Sequence, residues 1–256
     1  MATKGSDAVS KFGGVRSVWP ALGLALAVLT VAALIAAVYL TFFEAPRERE
    51  MGEVQRIFYF HVSSAFAALI GFVICSVASL IYLLVQPKQS LSLIANITDR
   101  IAQAAGEIGV LFGIVVLITG PIWAKPAWGE YWTWEPRLVL MLLTVFLFVG
   151  YVALRAYAAG SDAARKLSAG VAVIGGPAVY LIHVAVKLWG GNHPQVVTGE
   201  GGGLEPGPME LTFAATAISV LVFAGLLVAL RYSQHKTRDE LSNAWLELSD
   251  IEEENS

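Results

Sequence analysis

Cysteine is nearly absent from this sequence, which contains only Cys75. Because a disulfide needs two thiols, no disulfide can form within the chain, and a CxxC redox motif is excluded as well. The sequence also contains no glycine-rich phosphate loop, no nucleotide signature and no basic patch of the kind that binds nucleic acid. Any ATP used together with this chain is therefore expected to be bound by another protein, and no nucleic acid partner is expected.

Charged residues are scarce, at 14% of the 256 residues, whereas 56% are hydrophobic and the mean hydropathy is +0.65. This composition excludes an ordinary soluble domain and predicts an all-α, polytopic integral membrane protein that is embedded in a lipid bilayer. The net charge of −3 says little about partners, because in a membrane protein the distribution of Lys and Arg among the loops matters more.

Six apolar runs are long enough to cross a bilayer, which needs about 20 residues of helix. They predict a bundle of six transmembrane helices, near residues 20–43, 57–85, 101–123, 138–154, 167–186 and 211–232. The first run is too long for the core of a cleaved signal peptide, so we expect it to be retained. The membrane domain would then occupy 20–232, between an N-terminal segment, 1–19, and an acidic tail, 233–256, that is either a solvated helix or disordered.

The distribution of Lys and Arg predicts the orientation of the bundle. Of the 17 such residues, 11 lie in segments on the same side as the two termini, and six lie on the opposite side. The side with the excess is normally cytoplasmic, so both termini are predicted to be cytoplasmic. The connector between the third and fourth runs would then lie outside, on the periplasmic face if the membrane is the inner membrane of a Gram-negative bacterium.

That connector, residues 124–137, is rich in aromatic side chains, and the stretch 128–138 reads WGEYWTWEPRL. Tryptophan favours the membrane–water interface in any membrane protein, so an aromatic belt is the simplest explanation of a single residue. Three of the seven tryptophans fall in this one connector, which indicates instead a platform that can hold a flat molecule. These three are Trp128, Trp132 and Trp134.

The stretch resembles the WWD signature of the haem-handling proteins of cytochrome c maturation, WGxxWxWDxRL. The matching residues are Trp128, Gly129, Trp132, Trp134, Arg137 and Leu138. Glu135 stands where that family usually has Asp, and Pro136 follows it, as in the WDP form of the CcsA branch. We expect Glu135 to pair with a neighbouring cation or to cap the helix that begins near Pro136.

Two histidines lie at a similar depth below the outer boundary. His61 follows Arg56 by five residues and His183 precedes Lys187 by four, which corresponds to about 7 Å and about 6 Å of helix. Either histidine alone is most simply a hydrogen-bonded residue of the bundle, but a pair at one level can approach a flat metallocofactor from both faces. Their contexts, FHVSSA and YLIHVAVKLW, resemble those of the haem ligands in the CcmC branch, which implies that both bind haem iron.

The sequence leaves the other polar candidates more open. His193 either faces the site or is solvated, whereas His235, in the tail, is expected to be solvated or to lie among lipid headgroups. Glu107 lies inside the third run. We expect its carboxyl group to be neutral, to be paired with another residue within the bundle, or to form part of a path through the bundle. Arg137 is the best candidate to bind the haem propionates, although cations near a helix end also anchor helices by snorkelling. The cations ranked after it are Lys125, Arg56 and Lys187.

The resemblance to the CcmC family extends over nearly the whole chain. It implies a protein that holds haem as cargo at the outer face and passes it to a periplasmic haem chaperone of the CcmE type. The implied partners are ABC transporter subunits of the CcmA and CcmB types and a small CcmD-like membrane subunit. No bond-making residue is evident, so we expect binding and transfer and not enzymatic catalysis. Two alternatives stay open: a CcsA-like component of a cytochrome c synthase, and a membrane assembly subunit or transporter that binds no haem.

Overall fold

The computed structural model describes residues 19–49, 51–157, 161–193, 204 and 207–254. It contains six long α-helices, and the described residues form no β-strand. The helices are α1 (Trp19–Tyr39), α2 (Arg56–Val85), α3 (Ser92–Trp128), α4 (Pro136–Tyr157), α5 (Asp162–Trp189) and α6 (Pro208–Glu254). Each is long and apolar enough to cross a membrane, which confirms the predicted all-α bundle of six transmembrane helices in a multi-pass membrane protein.

Several helices extend beyond the apolar runs that predicted them. A π-helical turn, Leu40–Glu44, continues α1. α3 begins at Ser92, in the stretch up to residue 100 that was expected to connect two helices. α6 is 47 residues long, about 70 Å at 1.5 Å per residue, so it continues well past the apolar part. The tail is therefore helical as far as Glu254. Hydropathy marks where a helix meets lipid and not where its backbone hydrogen bonding ends.

The central helix of the bundle is α2, which packs against α3, α5 and α6. α4 packs against α3 and α5, whereas α1 lies at the edge and packs mainly against α6. In the middle of the bundle the rings of Phe72 and Phe148 stack with their centroids 4.1 Å apart, and both side chains are fully buried. The core between the two ends of the bundle is therefore aromatic and closely packed.

Glycines allow α2 and α3 to approach each other closely. A Cβ atom at Gly71 would lie 3.0 Å from both the carbonyl oxygen of Ala105 and the Cα atom of Gly109. A Cβ atom at Gly109 would lie 2.8 Å from the Phe72 ring. Close contact of this kind stabilises helix pairs in membranes, where small residues let the two backbones come together.

We predict that Gly109→Ala lowers the unfolding temperature, because its new methyl group must displace the stacked Phe72 ring. Overpacking of a core typically costs about 1–3 kcal/mol. Gly150→Ala, in α4, is the matched control, because a Cβ atom there meets nothing within 4 Å. Its higher helix propensity should leave stability unchanged or raise it by up to about 1 kcal/mol. Thermal unfolding in one detergent measures both variants, and equal unfolding temperatures would contradict the close approach.

Candidate functional site

A cavity of about 980 Å³, including its open mouth, lies at the connector end of the bundle. Side chains from α2, α3, α4 and α5 line it, and most of them are apolar, as is usual for a ligand site. Five of the predicted site residues contribute to its wall, namely His61, His183, Trp128, Trp132 and Arg137. The other two, Trp134 and Glu135, lie outside the wall.

Gly129 ends α3 because it adopts a left-handed backbone conformation, with φ of +83°, that favours glycine. Its N–H donates to the carbonyl oxygen of Lys125 at 2.9 Å, and the Lys125 ammonium donates back to the carbonyl oxygen of Gly129 at 2.7 Å. Lys125 is thus used to close the helix. α4 begins at Pro136, as expected, because proline lacks only an N–H that the first turn of a helix leaves unpaired.

The connector tryptophans divide between the cavity and the surface. Trp128 packs edge-to-face against Trp123, with 5.4 Å between ring centroids, and Trp132 packs edge-to-face against Trp134 at 5.9 Å. Trp134 itself is 79% exposed. The indole N–H groups of Trp123 and Trp132 are buried and have no hydrogen-bond partner within the described part of the chain. Since a buried donor without an acceptor is costly, both are suited to an acceptor on a bound molecule.

His61 is held in one orientation by Thr119 across the α2–α3 contact. The His61 Nδ1 atom lies 2.8 Å from the Thr119 Oγ1 atom, and this hydroxyl donates its own hydrogen to the carbonyl oxygen of Val115 at 2.7 Å. Because a hydroxyl has a single hydrogen, Thr119 must accept from His61 Nδ1–H. The Nε2 atom of His61 therefore keeps its lone pair, which is the arrangement of a metal-binding histidine.

Gly120 provides the space that the His61 ring occupies. A Cβ atom at Gly120 would lie 3.3 Å from the His61 Cε1 atom. His183 reaches the same cavity from α5, and its side chain is exposed and makes no hydrogen bond with any described residue. The two predicted ligands thus come from separate helices and line one cavity.

His193, which the sequence left undecided, also lines this cavity. Its Nδ1 atom lies 3.3 Å from the Arg137 Nη1 atom, and its ring lies edge-to-face with Trp128 at 6.4 Å. A guanidinium group only donates, so His193 accepts this hydrogen bond through Nδ1. His193 thereby orients the arginine that was predicted to bind carboxylates.

Glu135 connects the loop that carries His193 to the start of α4. Its Oε2 atom accepts the backbone N–H of Asn192 at 2.6 Å, and its side chain is buried. The approach is close, because a Cβ atom at Gly191 would lie 2.8 Å from the same oxygen. The carboxylate therefore binds a backbone N–H group of the loop after α5, whereas a neighbouring cation or the first turn of α4 was expected. The glycine pair before His193 is the sequence signal for this close approach.

The remaining candidate residues lie outside the cavity wall. Arg56 pairs with Glu53 and donates to the carbonyl oxygen of Thr41, which ties the end of α1 to α2. Lys187 is exposed. The contacts of Arg56 hold the end of a helix, and no contact places either residue in the cavity.

Glu107 and His235 meet at the opposite end of the bundle. Glu107 accepts from Arg231 Nε at 2.6 Å, and its other oxygen lies 3.2 Å from His235 Nε2. Of the three states considered for Glu107, the structure shows the paired one. Of the two roles expected for His235, solvation is wrong, because α6 continues as a helix and turns this side chain inward, where it is buried against α3.

The sequence profile of the family described as "Heme exporter protein C", CcmC, matches residues 13–247. The chain belongs to this family. Three relatives with that name are the proteins of Escherichia coli, at 34% identity over 172 residues, Rhodobacter capsulatus, at 32% over 160, and Paracoccus denitrificans, at 31% over 147. These alignments cover 66%, 62% and 57% of this chain and 65%, 63% and 58% of the respective relatives. The chain therefore spans less than two thirds of the length of each of these CcmC relatives.

We predict that Glu135→Ala makes the backbone N–H of Asn192 exchange with solvent about 10–100-fold faster, because a hydrogen bond to a charged group contributes about 1.5–3 kcal/mol. Glu135→Gln should largely preserve the protection, since its amide oxygen can accept the same bond. Glu130→Ala, at an exposed position in the same connector, is the control. Hydrogen–deuterium exchange of the peptide that contains residue 192 measures the effect. Unchanged exchange in Glu135→Ala would show that this carboxylate does not hold the loop.

Proposed function

We propose that this chain binds haem as cargo in the connector-end cavity and delivers it for cytochrome c maturation. The observation that carries the proposal is the His61 imidazole, whose Nε2 lone pair is kept available by Thr119 and which lines an apolar cavity. A neutral imidazole oriented by a second residue is suited to bind iron. The name of the three relatives, Heme exporter protein C, supports the same ligand.

The wall of the cavity offers a group for each part of a haem molecule. His61 and His183 are the proposed axial ligands of the haem iron. Each would bind the iron through one nitrogen of its imidazole ring. Trp128 and Trp132 provide aromatic surface for the porphyrin faces. Arg137 provides a cation for the propionates. The two unpaired indole N–H groups, those of Trp123 and Trp132, are further donors for carboxylate oxygens.

The same wall suits binding and transfer, because most of its side chains are apolar. Outside the wall, Trp134 and Tyr131 present exposed rings on the connector. Exposed aromatic residues are common in protein interfaces, which suits a surface that receives a partner.

In this proposal the connector faces the periplasm, and the partner that receives haem is a chaperone of the CcmE type. The chain acts in a complex with CcmA- and CcmB-type ABC subunits and a CcmD-like subunit in the bacterial inner membrane, with both termini cytoplasmic. The excess of Lys and Arg on the side of the termini supports this orientation. Glu135 and Trp134 contribute indirectly, through the position of the loop and the shape of the connector.

We predict that the full chain, purified in detergent after haem-replete expression, shows a haem absorption spectrum. His61→Ala and His183→Ala should each shift the main absorption band or lose most of the haem at unchanged protein yield, because each removes an iron ligand. His235→Ala, which removes a histidine at the opposite end, should keep the wild-type spectrum. Absence of haem from the wild type would favour an assembly subunit with an aromatic belt, and wild-type spectra in both ligand variants would reject the assigned ligands.

We also predict that Thr119→Val weakens haem binding by about 10–100-fold, the usual effect of losing a residue that orients a metal ligand. Thr119→Ser keeps a hydroxyl group at the same place and should bind haem like the wild type. Titration of the haem-free protein with haem, followed by absorbance, measures both affinities. Equal affinities for the valine and serine variants would show that the hydrogen bond to His61 does not contribute.

A further inference from the structure

A second cavity, of about 1260 Å³ including its mouth, lies at the opposite end of the bundle, between α3, α4, α5 and the extended part of α6. On α3, Gly120 contacts His61 whereas Arg100 lines this second cavity, so about 30 Å of helix separates the two sites. Unlike the first cavity, this one is polar. Its charged and amide residues are Arg100, Arg155, Arg165, Arg238, Asp239, Asn96, Gln103 and Asn243.

Buried ion pairs build the inner wall of this cavity. Arg155 donates to both carboxylate oxygens of Asp99, at 2.7 and 2.9 Å, and to Gln103 at 2.9 Å. Arg165 shares the same aspartate through its Nε atom at 3.2 Å. Arg100 binds Asp239 through its own Nε atom at 2.7 Å. These contacts join α3 to α4, α5 and α6. They hold these three arginines in fixed positions.

The arginines of the cavity outnumber the carboxylates that they contact. Four arginines line the wall, and the carboxylates that pair with them are Asp99 and Asp239. Four arginines against these two aspartates leave an excess of two positive charges within this set of residues. Arg238 forms no ion pair with any of these residues. Arg238 is exposed to solvent, whereas the Arg165 side chain is mostly buried, so an anion in the cavity would be attracted most strongly beside Arg165.

Two of these arginines also have unused donors. Arg100 and Arg165 contact their aspartates through Nε, and in the described ranges no residue accepts a hydrogen bond from their Nη atoms. Their side chains are only 15% and 27% exposed. The planar donor edge of a guanidinium group fits the oxygens of a phosphate group. The free donors and the surplus charge thus occur in the same cavity.

We propose that this second cavity binds the phosphate group of an anionic ligand. A phosphate monoester carries about −1.5 to −2 charges, and a phospholipid headgroup carries a single negative charge at each phosphodiester, so both are attracted by the excess of arginines. The separation of about 30 Å from the first cavity equals the thickness of the hydrocarbon core, so the cavity lies at the level of lipid headgroups. An anionic phospholipid is therefore one source of the phosphate, as in other basic pockets between membrane helices, and a soluble phosphate is the other.

The test is thermal unfolding of the full chain in a non-ionic detergent, titrated separately with inorganic phosphate, with cardiolipin and with phosphatidylcholine. A ligand that binds the folded state raises the unfolding temperature. We expect Arg165→Gln and Arg238→Gln each to weaken the effective ligand by about tenfold, the loss of one charge-assisted hydrogen bond. Asp99 remains paired with Arg155 in the first variant, and Arg238 is exposed, so both variants should fold.

Lys166→Gln is the matched control, because it removes the same charge from the residue after Arg165 at an exposed position outside the cavity wall. Stabilisation by cardiolipin alone, weakened in the arginine variants, would assign the site to a lipid headgroup. Stabilisation by inorganic phosphate with the same variant pattern would assign it to a soluble phosphate. The proposal would be overturned if neither cardiolipin nor inorganic phosphate raised the unfolding temperature. It would also be overturned if Lys166→Gln and the arginine variants lost the same amount of this stabilisation.

Discussion

Hydrophobic burial contributes little to the association of helices inside a bilayer, because lipid tails are as apolar as the side chains that they replace. In this protein the contact of α2 with α3 is instead built on facing glycines, Gly71 and Gly109, that let the backbones approach. Because both helices are rigid and run the length of the bundle, the register set there also determines the contacts at their ends. The placement of His61 beside Thr119 depends on that register.

The two ends of the bundle then differ in how they hold polar groups. At the connector end, the cavity has imidazoles and a single arginine in an apolar wall. At the other end, arginines and aspartates form ion pairs that hold α3, α4, α5 and α6 together. Between them lies the stack of Phe72 and Phe148, with Phe148 midway along α4 between Met141 of the first cavity and Arg155 of the second.

The number of helices follows from the sequence because the bilayer imposes a length and a polarity on every span. The approach of His61 and His183 to one cavity was also predictable, from their similar depth below the outer boundary. The position of His193 was not predictable, because it depends on the hydrogen bond between the Asn192 backbone and Glu135 that holds the loop after α5. The exposure of Trp134 and the burial of His235 could not be predicted either, since both depend on the direction of the side chain and not on its spacing in the sequence.

The closed aromatic middle of the bundle keeps its two cavities apart. The walls of the two cavities share no residue, and the fully buried pair of phenylalanines separates them. In this conformation, a molecule as large as a porphyrin has no passage along the helix axes through the described residues. Movement from one cavity to the other would require the stacked rings of Phe72 and Phe148 to separate. Two ligands could therefore occupy the two cavities at the same time without contact.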